Sequence, residues 1–184
     1  MKLKDDIQSS VLTVLLGSIV VMLAGAFVAC SEKKPPGYYV HDDGFSVVIP
    51  DGWNSEENIG GASIVMWQGE RDPTAPTVTI VMRDIPPEAD NNMFADLNFR
   101  EASERDGYVA MRSEEITIDG DSLPLLVYAY KQGGGWRQGM LTSIVAGNDD
   151  EKYGFVILCS SMSGKLEGDK DEYKTILSSF GRQD

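Results

Sequence analysis

Two cysteines, one histidine and a shortage of basic residues limit what this 184-residue chain can do. Two cysteines cannot build a disulfide framework, and with one histidine they cannot supply the ligand sets that transition metals need. Lys and Arg number 16 against 29 Asp and Glu, a net charge of −13. A surface that acidic repels phosphate backbones, which argues against nucleic acid as a partner. There is no glycine-flanked nucleophile elbow and no phosphate-cradling loop with its lysine and hydroxyl residue. Apolar content of 42% and charged content of 24% are globular values, so disorder, collagen-like repeats and a multi-span membrane protein are excluded.

What is present begins with an export signal. Lys2 and Lys4 precede an apolar stretch over residues 11–28, and Phe27-Val28-Ala29-Cys30 closes it. The order of charged, apolar and small residues is that of a secretory signal. The segment resembles a bacterial lipoprotein signal, with a small residue before Cys30 and Ser31 after it. That resemblance implies cleavage before Cys30 and acylation of its thiol, and two or three buried acyl chains at ~0.8 kcal/mol per methylene hold a domain on a bilayer. An uncleaved anchor helix and a plain signal peptide are the alternatives, since 18 apolar residues just reach the length of a span.

The expected organisation is a signal peptide over 1–29, a lipid-anchored tether over 30–37 with its double proline, and one domain over 38–184. The implied location is the bacterial cell envelope, on the periplasmic face of a membrane, with Ser31 favouring the outer one. Removing 29 residues leaves 155, with 14 basic and 27 acidic, enough chain for a core without staples.

Within that domain, Asp43-Gly44 between two β-rich runs marks a hairpin turn, and Pro50-Asp51-Gly52 stops the second strand before Trp53. Strands are expected over 63–68 and 77–82, then a helix near 91–106 with Met93, Phe94 and Leu97 on its apolar side, ended by Gly107. Strands follow over 108–111, 115–118, 123–130, 136–145 and 153–160. Tyr173, Ile176, Leu177 and Phe180 fall at i, i+3, i+4 and i+7 on a last helix. Asp169 and Glu172 read as its capping box, and Gly181 as its stop. Short turns between consecutive strands imply antiparallel pairing, so the fold class is α+β, an antiparallel sheet with helices packed on it.

Several of these segments together resemble the PsbP-like and DcrB-like superfamily. Gly44-Phe45 through the strand to Pro50-Asp51-Gly52-Trp53 is similar to its opening motif. The Asp119-Gly120 turn into residues 125–130 is similar to its central hairpin, and residues 153–160 with 173–180 to its last strand and helix. The resemblance implies an α/β/α sandwich over about residues 38–182 and a habit of docking onto larger partners. It transfers no functional residue.

Tested for chemistry, His41-Asp42-Asp43 with Ser160, Ser161 or Ser163 is the candidate for a hydrolase. The structural alternative has His41 ending an exposed strand and the aspartates forming the turn. Calcium is the plausible metal for acid-rich loops, with Asp119-Gly120-Asp121 and residues 148–151 as candidates, although neither has calcium-loop spacing. Cys159 sits in the apolar run 154–159 and reads as a core residue. Trp136, after Gly133-Gly134-Gly135, is either a partner contact on a flexible tip, with Gly134 beside it, or an aromatic folded back on the sheet. The reading that results is a non-catalytic envelope protein, anchored through Cys30, without cofactor or metal, docking on another envelope protein. The alternatives are a small-ligand or calcium binder and, last, a hydrolase.

Overall fold

A computed structural model describes residues 37–148 and 151–183. Residues 1–36, Asp149, Asp150 and Asp184 lie outside the described residues, and with them the expected signal and most of the tether. The chain opens with β1 (Tyr38–His41) and β2 (Phe45–Val48), then a meander of β3 (Trp53–Ile59), β4 (Ala62–Gln68) and β5 (Thr77–Asp84). Helix α1 (Asn91–Ser103) crosses to a second meander of β6 (Val109–Ile118), β7 (Asp121–Gln132), β8 (Gly135–Gly147) and β9 (Lys152–Met162). Helix α2 (Leu166–Ser178) and the short β10 (Gly181–Arg182) complete it.

The two meanders join where β9 pairs antiparallel with β5, giving a seven-stranded sheet in the order β3-β4-β5-β9-β8-β7-β6. A small sheet, β1-β2-β10, lies apart from it. The α+β antiparallel fold expected from the sequence is the one observed.

Strand alternation makes the large sheet two-faced. On one face Ile64, Val78, Ile80, Met140, Phe155, Ile157 and Cys159 form a core with Tyr173, Ile176 and Leu177 of α2 and Phe45 and Val47 of β2. Phe45 and Phe180 stack at 5.5 Å, each with its edge or face to Phe155, so the small sheet and the end of α2 are joined by one aromatic cluster. Trp53, the last residue of the opening motif, is buried against Tyr173. On the other face Leu126, Tyr128, Tyr130, Leu141 and Val156 meet Phe94 and Ala102 of α1. The layers are therefore α1, the large sheet, and α2 with the small sheet.

Several local expectations are corrected. The strands expected at 108–111 and 115–118 are one strand, bent by a bulge between Ala110 and Arg112. Strand β3 was not legible, because its burial is confined to Trp53 and, in part, Ile59, which leaves no alternation to read. Helix α1 buries Phe94, Ala95, Asn98 and Ala102, whereas Met93 and Leu97 point outward, 54% and 45% exposed. The face is chosen by Gly154 on β9, which leaves the space that the Phe94 ring fills. Asp90 caps α1 by accepting from the Met93 N–H at 2.8 Å.

Helix α2 begins at Leu166, before the expected box, and its N-cap residue Lys165 makes no side-chain cap bond. Asp169 instead accepts from the Ser161 hydroxyl at 2.6 Å, so tertiary contact claimed the carboxylate that local capping would have used. Gly181 is not a helix stop either: α2 ends at Ser178, and Gly181 opens β10, which pairs with β2 at Ser46.

A charge network fastens α2 to the sheet. Glu114 on β6 accepts from Lys170 at 3.0 Å and from Arg112, and Arg112 also reaches Glu167 at 2.6 Å. The bonds from Lys170 and Arg112 hold the Glu114 carboxyl below the usual carboxylate range, against partial burial. A carboxyl with a depressed folded pKa contributes stability above its unfolded pKa and loses it as pH falls. Glu114→Gln should lower Tm at neutral pH, and the gap to the unmodified protein should close between about pH 5 and about pH 3, read by thermal denaturation. At Gly154, a Cβ would lie 2.3 Å from Cε1 of Phe94. Gly154→Ala should cost about 1–3 kcal/mol in denaturant unfolding, partly recovered by Phe94→Leu.

Candidate functional site

Residues of interest converge at the end of the sheet where β7 turns into β8. The turn is made by Gly133 and Gly134, with φ of +60° and +80°, a region open to glycine at no steric cost. After Gly135, Trp136 and Arg137 point to opposite faces of β8, because successive strand residues alternate. Each begins a different surface.

On the α2 side, Trp136 is paired with Lys131 of β7, whose ammonium lies 5.5 Å from the ring centroid. Val109 of β6 pairs with Ala129 on the same face, and Met111 accepts a long contact from Gln138 Nε2 at 3.6 Å. Val109, Met111 and Trp136 are 51%, 46% and 42% exposed, three large apolar side chains in one patch. Strand β6, which carries two of them, is the last strand of its sheet, so its outer edge is unpaired among the described residues. Gly134 sits at the tip, with nothing within 4 Å of the position a Cβ would take. Trp136 rests on Lys131 yet keeps much of its surface in solvent, between the two arrangements expected for it.

On the α1 side, Arg137 is buried, 5% exposed. Its Nε donates to Ser160 Oγ at 2.8 Å, Nη1 to Pro73 O at 2.6 Å, and Nη2 to Ala75 O at 3.0 Å and Ser160 O at 2.9 Å. All four acceptors are neutral. The guanidinium faces a groove of about 480 Å³ whose walls include Val65, Pro73, Thr77, Thr79 and Met162. Asp72 lines the same groove. Bonds from Thr74, with the Arg137 charge as a weaker influence, hold the Asp72 carboxyl below the usual carboxylate range.

Arg137 was missed in the sequence. It lies in a strand pattern where a charged residue reads as solvated, and its partners come from residues 73–75 and 160. The signal that could have found it is parity: with Met140, Ile144 and Ala146 on one core face, position 137 belongs to the opposite face.

Of the hydrolase candidate, His41 and Asp43 lie together, Nδ1 and Oδ2 3.6 Å apart, but the serines make their bonds elsewhere. His41 does end β1, with Asp42 and Asp43 in the turn after it, but its side chain is buried, the ring stacked on Phe45 at 4.9 Å. The Asp43 N–H donates to Nδ1 at 3.0 Å, so Nε2 carries the proton and donates to Ser63 O at 2.9 Å. Both ring nitrogens are thus committed to backbone groups. Ser160 Oγ is engaged by Arg137 and by Tyr130 at 2.8 Å, and Ser161 by Asp169 and Tyr173. Ser163 donates its backbone N–H to Trp136 O at 3.0 Å.

Of the calcium candidates, Asp119 and Asp121 both pair with Arg182, at 2.6 and 3.0 Å, so an internal cation already occupies those carboxylates. The turn at residues 148–151 is only partly described. Among the described residues no group of three or more His, Cys, Asp or Glu side chains could hold a metal ion. Cys30 lies outside the described residues, and among those described no helix is long and apolar enough to cross a membrane.

The layered sheet and its two helices define a fold, and that fold is the PsbP-like one. LpqN of Mycobacterium tuberculosis, described as involved in cell envelope biogenesis, superposes with a TM-score of 0.61 at 17% identity, over 78% of this chain and 87% of that one. Cyanobacterial PsbP (CyanoP) from Synechocystis sp. PCC 6803 gives 0.57 at 17% identity, over 86% of this chain and 99% of that one. A Pseudomonas aeruginosa protein of unknown function, described as a putative regulator, gives 0.50 at 16% identity, over 77% and 93%. At such identities the likeness is one of fold. No protein-family model and no curated protein matches the sequence.

Cys159 occupies the core expected of it, fully buried beneath α2, and burial pushes its thiol pKa up. The Cys159 peptide should stay unmodified by iodoacetamide in the native protein and react fully once denaturant unfolds it, read by mass spectrometry.

Proposed function

We propose that the chain is a lipid-anchored, non-catalytic protein of the bacterial cell envelope that docks on another envelope protein through the Trp136 patch. The observation that carries this reading is the gathering of Val109, Met111 and Trp136, all exposed, beside the open edge of β6. Aromatic anchors on a rigid sheet are the usual centres of binding energy in protein interfaces. An unpaired strand edge adds a row of backbone donors and acceptors that a partner's extended segment can take up. The net charge of −13 favours a partner with a basic surface around its apolar contact, since complementary charge speeds encounter.

The anchor rests on the lipoprotein-like segment ending in Phe27-Val28-Ala29-Cys30. Acylation of Cys30 would restrict the domain to a membrane surface and raise its effective concentration near a membrane-bound partner. Ser31 after the cysteine favours the periplasmic face of the outer membrane. LpqN, a protein of the same fold described as involved in envelope biogenesis, is consistent with that setting. The catalytic alternative has less support, because His41 and the serines around 160 are committed to separate structural bonds.

The test is in vivo crosslinking and pull-down of the tagged full-length protein from its own membranes. One roughly stoichiometric partner is expected, lost in Cys30→Ala. Trp136→Ala should lower capture about tenfold, the equivalent of ~1.4 kcal/mol, with Tm unchanged. Undiminished capture by Trp136→Ala would remove the patch as the docking site.

A further inference from the structure

The groove at Arg137 belongs to the opposite face from the Trp136 patch and is used by no part of the docking reading. Arg137 is a charge held almost wholly out of water without a carboxylate within 4 Å among the described residues. A guanidinium has five N–H donors. Four donate to neutral oxygens of Ser160, Pro73 and Ala75, and the remaining Nη1–H has no partner among the described residues. Burying a charge against neutral oxygens alone is costly, and a further partner for the free donor would offset that cost.

Asp72, on the same groove, presents the complementary half. Its Oδ1 takes the Thr74 N–H, the Thr74 hydroxyl and the Ala75 N–H. Its Oδ2 has no partner among the described residues. The turn thus occupies one carboxylate oxygen and leaves the other uncommitted among the described residues. Between the two charges the walls are apolar and hydroxylic: Val65, Pro73 and Met162 with Thr77 and Thr79.

Sign complementarity narrows the ligand. A simple anion at Arg137 meets Asp72, in a chain already carrying −13, and a simple cation meets Arg137. A molecule with both charges a few ångströms apart satisfies each. The volume of about 480 Å³ falls within the ~300–1,000 Å³ range of small-molecule pockets.

We propose that the Arg137–Asp72 groove binds a small zwitterion, its anionic group on the guanidinium and its ammonium on the Asp72 carboxylate. The favoured member of that class is a free α-amino acid with an apolar side chain, which Val65, Pro73 and Met162 would cover. Phosphoethanolamine, free or as a lipid headgroup, carries the same pair of charges. The competing account is that Arg137 only staples residues 73–75 to β9.

The test is a thermal-shift and calorimetric series on the full-length protein in detergent. The probes are L-leucine, L-methionine, phosphoethanolamine, N-acetyl-leucine (no ammonium) and leucinamide (no carboxylate). Leucine or methionine at about ten times Kd should raise Tm by roughly 3 °C or more, and the two blocked derivatives should not. Asp72→Asn keeps the turn-capping oxygen but loses its charge, so Tm without ligand should fall only slightly while affinity falls at least about tenfold. Response to phosphoethanolamine alone keeps the zwitterion site and assigns its source to a headgroup. N-acetyl-leucine binding as well as leucine would overturn the proposal in favour of a plain anion site. No shift with any probe would overturn it in favour of the staple. Should Asp72→Asn fail to fold, the ligand series on the unmodified protein still decides.

Discussion

The structure turns on the end of β9, where Ser160 and Ser161 exchange bonds with α2, β7 and β8. The Tyr173 hydroxyl of α2 donates to Ser160 O at 2.8 Å and lies 2.7 Å from Ser161 Oγ. From the other face, Arg137 of β8 reaches both Ser160 O and Ser160 Oγ, and Tyr130 of β7 meets the same hydroxyl. Through Pro73 O and Ala75 O, Arg137 also fixes the β4–β5 loop. Two adjacent polar residues in a strand buried on both faces thus tie α2, β7, β8 and a distant loop together. Removing any one partner would strand buried donors or acceptors, at about 1–3 kcal/mol each. The hydroxyls of Tyr128 and Ser143 and the indole Nε1 of Trp53, buried without a partner among the described residues, show that satisfaction elsewhere in the sheet is less complete.

That node also sets the two candidate surfaces. Strand alternation sends Trp136 to one face of β8 and Arg137 to the other, so a single turn serves both. The positive φ of Gly133 and Gly134 lets β7 and β8 reverse tightly enough to bring the pair to the end of the sheet. The Trp136 surface is apolar, open and beside an unpaired strand edge, properties suited to a macromolecule. The Arg137 surface is concave and carries opposed charges, properties suited to a small molecule. Neither proposed role needs a reacting group.

Legibility followed the range of the interactions involved. The stripe of Tyr173, Ile176 and Leu177 on α2, continued by Phe180 just past the helix end, was readable because it is periodic and local, and all four residues are buried. The turn at Asp119-Gly120 was readable because both residues take positive φ, the conformation the dipeptide favours. The side of α1 that faces the sheet was not readable. Met93 and Leu97 are more apolar than Asn98, yet Asn98 is buried, bonded to Phe94 O and to Arg83, because Gly154 admits Phe94 at that angle. The burial of His41 was missed for the same reason: the aromatic ring that buries it and the carbonyl it bonds lie on β2 and β4.

The antiparallel α+β class, the hairpin turns and the burial of Cys159 are legible in the residues alone, since each follows from local periodicity, turn chemistry or an uninterrupted apolar run. So is the lipoprotein-like segment at Cys30, which no tertiary contact is needed to read. Which carboxylates and cations meet is fixed by the folded arrangement. Asp169 left its cap for Ser161, Asp119 and Asp121 went to Arg182, and Arg137 was buried among carbonyls 23 or more residues away. Charged side chains are long and their partners are chosen by proximity in space, so sequence spacing does not encode them; pairing of β9 with β5 and β8 does.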